Sequence, residues 1–313
     1  MRRATSPEAE AGSAGPAPAP VTRWALVDPA GKAHAHRMTD EAVARIRSLF
    51  DELSGVYDPV EVPFFGPIAA GLVQLLAPVP GERALDLGCG TGAATLPLAR
   101  AVGPTGRVTA VDVADGMIAQ LDRVLQLHQL GRVSTRRADA GDPDPDWGSF
   151  DIVAASLVLF FLPDPQRALQ RWAARLAAGG RLGISTFGDQ DPVWKAVDAL
   201  FAPYLPAQLL DARASGGRGP FADDAGVENL FRTAGLTAVR TVTSPVTVAF
   251  DDVDGWRTWS MTTGQRQLWA RVPPDRRESF LGQAAELLAT ARGGSGRIEL
   301  TQQVRYTLGV AAR

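Results

Sequence analysis

The sequence predicts an α/β protein built on a doubly wound, mostly parallel sheet of seven strands, with an antiparallel last strand and a helical cap. Three observations carry this expectation. From Arg83 to Thr186, short apolar runs stopped by glycine or aspartate alternate with helix-compatible stretches, a rhythm that requires parallel strands joined by right-handed crossovers. Near the C-terminus Ile298, Leu300, Val304, Tyr306, Leu308 and Val310 alternate with polar residues, as an antiparallel strand with one buried face would. The 313 residues, 45% hydrophobic and 21% charged, are long for one domain and short for two, so one large domain with a cap or insertion is the natural reading.

Taken in order, residues 1–20 hold six Ala, four Pro and two Gly with no aromatic, and are expected to form a disordered tail. A helical cap over 21–78 follows. In it Val43, Ile46, Phe50 and Leu53 make one apolar stripe, and a second helix from Phe65 to Leu76 stops before Pro78. Residues 79–250 together with 294–313 should form the sheet domain. Its strands are expected at Arg83–Gly88, Arg107–Asp112, Val133–Ala138, Phe150–Ser156 and Gly180–Thr186, with helices at Thr91–Val102, Asp115–His128 and Asp164–Leu176 between them. Helices at Pro192–Leu200 and Ala222–Ala234 precede an extended stretch, Thr237–Phe250, in which Pro245 argues for an edge position or a bulge. A mostly helical insertion over 251–293 carries Trp256, Trp259 and Trp269, of which the helically spaced Trp256 and Trp259 are expected in the core.

Charge and residue usage exclude several function classes. With 32 Lys and Arg against 34 Asp and Glu, the net charge of −2 offers no basic face, and no nucleic-acid partner is expected. One cysteine and three histidines (His34, His36, His128) suit neither a disulfide framework nor a zinc site, so no metal is expected. No apolar run approaches eighteen residues and the N-terminus lacks a signal core, which points to a cytoplasmic location without a membrane partner.

The most informative stretch is Ala84-Leu85-Asp86-Leu87-Gly88-Cys89-Gly90-Thr91-Gly92, at a strand end and a helix start. Glycines let a ligand approach the backbone, and the helix start presents free amides to a carboxylate or anion. The glycines alone also fit a dinucleotide fingerprint. Asp86 separates the two readings: a carboxylate two residues before the first glycine repels a pyrophosphate and attracts the ammonium of an amino-acid ligand. Asp112, closing the second strand, can accept from ribose hydroxyls, and Asp139, placed at the end of the third, from an adenine amino group. Three acids at successive strand ends define one crevice.

With these residues in place the chain resembles the class I S-adenosylmethionine-dependent methyltransferases, in particular the branch of ubiquinone/menaquinone biosynthesis and small-molecule methylation. The resemblance covers Tyr57 to Thr186 and rests on Asp86–Gly92, Asp112, Asp139-Ala140, Phe150-Asp151-Ile-Val and Leu176-Ala-Ala-Gly-Gly180. It implies a Rossmann-like fold and S-adenosyl-L-methionine as cofactor. Gly88, Gly90 and Gly92, with Cys89 inside the loop, would line the methionine part. Val113 and Met117 would flank the adenine, Asp139 and Ala140 contact it, Ser156 at the fourth strand's end join the cofactor set, and Tyr57 close over the site. The acceptor implied is a small, largely apolar or aromatic metabolite, methylated at O, N or C, in secondary metabolism.

One departure matters. Where many relatives read Leu-His-His-x-Pro-Asp, this chain reads Leu159-Phe160-Phe161-Leu162-Pro163-Asp164, so a histidine base is not supported and Phe160 and Phe161 become the expected pocket walls. The nearest substitutes for a base are Tyr57 and Asp164. Cys89 has no histidine partner and is not read as a nucleophile. Arg266, Arg271, Arg276 and Arg277 could meet an acidic acceptor but read more simply as a solvated face. Because the cofactor motif is blind to the acceptor, a cofactor-binding enzyme that catalyses a rearrangement or cyclisation without methyl transfer stays the alternative.

Overall fold

The computed structural model describes residues 43–55, 57, 62–205 and 219–312. The tail expected at 1–20 and the first half of the expected cap, with His34 and His36, lie outside these residues. Seven strands form one sheet: β1 Arg83–Leu87, β2 Arg107–Asp112, β3 Val133–Arg137, β4 Phe150–Ser156, β5 Leu176–Gln190, β6 Thr237–Phe250 and β7 Ile298–Val310. Their order is β3-β2-β1-β4-β5-β7-β6, the first five parallel and β7 antiparallel to both β5 and β6. The helices are α1 (43–53), α2 Phe65–Leu76, α3 Thr95–Val102, α4 Asp115–Leu127, α5 Pro165–Ala173, α6 Pro192–Ala199, α7 Asp224–Thr233, α8 Val253–Ser260, α9 Arg266–Trp269 and α10 Arg277–Ala289.

The central strands are short apolar runs because helices cover both of their faces. One face packs Ala84 and Ile152 against Leu72 and Leu76 of α2, Leu98 and Val102 of α3, Trp194 of α6 and the tryptophans of the insertion. The other packs Leu85, Val153 and Leu182 against Leu169 and Trp172 of α5 and Val227 and Phe231 of α7. Trp256 and Trp259 are buried, as expected. β6 ends the sheet, so Pro245 sits on an edge strand where its missing N–H costs one flank nothing.

Three boundaries differ from expectation. α3 starts at Thr95 instead of Thr91, since Gly90 and Gly92 hold φ at +52° and +107° and keep residues 91–94 in a turn. The helix expected to reach Leu176 ends at Ala173, and β5 already begins at Leu176, pairs there with Phe150, and bulges through Gly179 (φ +74°) before the ladder resumes at Ile152–Arg181. β3 ends at Arg137, two residues before Asp139.

Candidate active site

Strand register builds the site. Leu87 pairs with Val111, which sets Gly88 level with Asp112; Asp86 pairs with Ala154, which sets Gly88 level with Ser156; and Ser156 pairs with Ser185. One row therefore crosses the carboxyl ends of β2, β1 and β4 and meets β5 at Ser185, five residues before that strand ends. It straddles the β1–β4 neighbourhood, where the strand order reverses direction and open α/β sheets place their ligand crevice.

Asp86 lies on the α3 face, only 1% exposed, and its Oδ2 accepts from Thr95 Oγ1 at 2.5 Å. Its Oδ1 is buried with no hydrogen-bond partner. Burial pushes its pKa up to about 7, and the neighbouring Asp112 charge adds to the rise while the Thr95 hydroxyl opposes it. A buried carboxylate oxygen without a donor is costly, and an ammonium group is the natural complement.

Asp112 spends both oxygens on backbone amides. Oδ2 accepts from Gly90 N–H and Oδ1 from Ala114 N–H, each at 2.9 Å, so this residue ties the glycine loop to the start of α4. Burial raises its pKa, and the amides counter it. Each carboxylate oxygen keeps a further lone pair for a ligand hydroxyl.

The three glycines divide. A Cβ at Gly88 would strike the Val158 side chain, and one at Gly92 would come within 2.7 Å of Leu121 Cδ1, so both are required by the protein's own packing. Beside Gly90 a Cβ would meet nothing within 4 Å: this is the open turn of the loop. The Cys89 side chain turns away into a cluster with Ala110, Leu121 and Leu125, and burial pushes its thiol pKa well up. Any contact it makes to a ligand is through its backbone.

Among the remaining expected residues one correction is needed. Asp139 does not close β3. It lies in the turn beyond, where Oδ1 accepts from Gly141 N–H at 2.7 Å, and the adjacent Ala140 carbonyl accepts from Trp172 Nε1 at 2.6 Å. Met117 is wholly buried with Leu53 of α1 and Ala114, with Phe50 and Tyr57 against them, while Val113 beside Asp112 is half-buried. Ser156 Oγ lies 3.0 Å from Ser185 Oγ. Asp164, weighed as a base, caps α5 by accepting from Arg167 N–H at 2.9 Å.

Above the row stands a feature the sequence did not expose as one object. Seven rings form a closed circuit of neighbours: Phe50 to Tyr57 (5.9 Å between centroids), Tyr57 to Phe65 (4.7 Å, stacked), Phe65 to Phe64 (5.2 Å), Phe64 to Phe187 (6.2 Å), Phe187 to Phe160 (5.6 Å), Phe160 to Phe161 (4.7 Å), and Phe161 back to Phe50 (5.7 Å, edge to face). These rings come from α1, the segment between α1 and α2, the start of α2, the turn after β4, and β5. The cap is joined to the sheet domain by a clasp beside it: Asp51 Oδ1 accepts from Gly116 N–H at 2.8 Å, where Ala114 supplies no side-chain cap to α4. Sequence reasoning missed Phe64, Phe65, Phe187 and Asp51 as site residues, and had Phe50 only as part of a core stripe.

Comparison with known proteins agrees with this geometry. A family model described as a methyltransferase domain matches residues 84–180. The chain is 34% identical over 275 residues to nocamycin O-methyltransferase of Saccharothrix syringae, covering 83% of this chain and 96% of that one. It is 37% identical over 172 residues to the aklanonic acid methyltransferase of Streptomyces sp. (strain C5), covering 53% and 76% respectively. The YcgJ structure from Bacillus subtilis superposes with a TM-score of 0.52 at 18% identity, over 78% of this chain and 98% of that one, a likeness of fold alone. The chain belongs to the class I S-adenosylmethionine-dependent methyltransferases, and its cofactor is S-adenosyl-L-methionine. The unpartnered Asp86 oxygen and the open face of Gly90 fit the ammonium and backbone approach of that molecule.

Proposed function

We propose that this enzyme methylates a small, largely apolar or aromatic metabolite of secondary metabolism, at oxygen by preference. The observation that carries the reading is the closed circuit of seven rings over the strand-end row, a wall suited to a flat apolar body and to a methyl donor bearing positive charge. The similarity to a nocamycin O-methyltransferase and an aklanonic acid methyltransferase supports both the pathway type and the oxygen acceptor.

In this reading Asp86 receives the cofactor's ammonium, the Gly88–Gly92 loop lets its methionine part lie against the backbone at Gly90, and Asp112 adds two ribose hydroxyls to the amides it already holds. Val113 and Met117 flank the adenine, Asp139 and Ala140 border it, Ser156 lines the floor, and Tyr57 closes the cover. The cofactor supplies an electrophilic methyl on a sulfonium. The rings beside the strand-end row would hold the acceptor's lone pair in line with that methyl. The chain's part is to align the acceptor, exclude water with the rings, and offer no histidine that must first take a proton. An acceptor ionised on its own account, an acidic phenol, enol or carboxylate, matches that arrangement.

The test is to incubate the full chain with methyl-labelled cofactor and a panel of phenolic, enolic and carboxylic acceptors. Transfer gives a product heavier by one labelled methyl; a product isomeric with its substrate, with label retained on the cofactor, would establish the rearrangement alternative instead. With an active acceptor, Asp164→Asn should keep turnover within about tenfold, since loss of a true general base costs roughly a hundredfold or more.

A further inference from the structure

The helices between β6 and β7 hold a cavity of about 150 Å³ to which no residue of the crevice contributes. Arg257 of α8, Arg266 of α9 and Arg277 of α10 surround it, over the apolar surfaces of Met261, Trp269 and Leu281. Among the described residues none of these three guanidinium groups has a carboxylate within ion-pair distance, although Asp254 and Glu278 lie on the same helices. Of the other arginines in this region, Arg276 meets Asp275 at 3.5 Å, Arg297 meets Asp251 at 2.7 Å and Arg292 meets the Gly296 and Asp251 carbonyls, while Arg271, outside the cavity, has no ion pair among the described residues.

The floor is preorganised. Trp269 Nε1 donates to Ser260 Oγ at 2.8 Å, Ser260 Oγ donates to the Arg257 carbonyl at 2.7 Å, and the indole packs between Phe201 (5.2 Å) and Phe280 (4.9 Å). Arg277 is aimed by its Nε, which donates to the Val272 carbonyl at 3.2 Å and leaves the terminal nitrogens for other acceptors. Three cations gathered on one cavity repel each other until an anion joins them, and guanidinium forks match a carboxylate. The volume decides the size of the rest: a cavity of about 150 Å³ accommodates a single six-membered ring.

We propose that this cavity is a binding site for a small organic carboxylate whose apolar body is about one ring in size, the ring on Trp269 and the carboxylate among Arg257, Arg266 and Arg277. The carboxylate can belong to the far end of the methyl acceptor or to a separate small acid that acts as an effector.

The probe is benzoate, titrated into the full chain and followed by ligand-observed NMR, with benzamide as the uncharged isostere. Benzoate should bind saturably and benzamide should not. Arg266→Gln and Arg277→Gln should each weaken benzoate at least about tenfold, the loss of a charge-assisted bond, while Arg276→Gln, outside the cavity, leaves it unchanged. Arg266→Lys, which keeps the charge and loses the fork, should recover part of the affinity and guards against a folding artefact. Equal binding of benzamide, or full benzoate affinity in both glutamine variants, overturns the proposal. No methyl transfer enters this readout, so its failure is separate from failure of the proposed activity. With an acceptor in hand, benzoate that raises the acceptor's KM alone assigns the carboxylate to the acceptor, and benzoate that changes kcat alone assigns it to an effector.

Discussion

The glycine loop follows β1, two rings of the circuit, Phe160 and Phe161, follow the neighbouring β4, and the two features are made in opposite ways. The end of β1 and the loop after it are nine consecutive residues, Ala84 to Gly92, held by hydrogen bonds to Asp112 and Thr95 and seated on the central strands of the sheet. The circuit draws seven rings from positions scattered between 50 and 187 and is joined ring to ring by packing. Hydrogen bonds fix atoms to tenths of an ångström and fail abruptly; ring packing tolerates replacement and fails by degrees. A cofactor that never changes suits the first construction, and an acceptor that differs between relatives suits the second.

The sharpest way to break this contrast is at Gly90. Gly90→Val should weaken cofactor binding at least about a hundredfold by calorimetry, because its side chain enters the one open face of the loop, while the fold pays only the ~1–2 kcal/mol of a left-handed non-glycine residue. Gly92→Ala should do the reverse, lowering the unfolding free energy by about 1–3 kcal/mol through its contact with Leu121. Matching effects from the two variants would mean the loop has no ligand-facing side.

Next in size, Asp112→Ala should weaken the cofactor by about 1.5–3 kcal/mol, since the proposed ribose contacts and the Gly90 tether go together. An unchanged dissociation constant would remove Asp112 from the site.

A pH titration probes Asp86. Its folded pKa of about 7 stands above the unfolded 3.8, so the protonated carboxyl contributes stability fully present below the unfolded value and lost as pH rises through about 7. Cofactor binding runs the other way: the ammonium needs the carboxylate, so affinity should fall by up to about tenfold per unit as pH drops below about 7. Asp86→Asn should flatten both slopes. An affinity independent of pH from about 5 to about 8, a range that brackets that pKa, would show that the buried oxygen does not meet the ammonium.

The smallest effect is expected where the circuit closes. Phe161 is 40% exposed and touches Phe50 edge to face, so a double-mutant cycle of Phe50→Ala and Phe161→Ala should give a coupling of about 0.5–1.5 kcal/mol in acceptor KM with the cofactor affinity held. Zero coupling would reduce the circuit to two unrelated walls.

The same contrast explains what was legible in the sequence. Buried parallel strands appear as short apolar runs, and β1, β2 and β4 lie where those runs predict, while the antiparallel β7 lies where alternation of apolar and polar residues places it. Asp86, Asp112 and the glycines were legible because their chemistry is local to strand ends. Strand register was not, and with it the alignment of Ser156 and Ser185 on the Gly88 row. Phe64, Phe65 and Phe187 were not legible as pocket residues because an aromatic on an amphipathic stripe looks the same whether it meets a core or a ligand. The Asp51 clasp had no signal either, being a capping group delivered from 65 positions away.

That clasp sets a rule for anyone recombining this scaffold. A Cβ at Gly116 would collide with Ser54, so α1 reaches the mouth of α4 only while position 116 lacks a side chain and position 54 stays small. Exchanging the N-terminal segment between relatives is an obvious route to new acceptors, and it will succeed where donor and recipient carry this pair in common. A recipient with alanine or larger at position 116 will leave the transplanted helix without its seat, and with it the Phe50 and Tyr57 side of the enclosure.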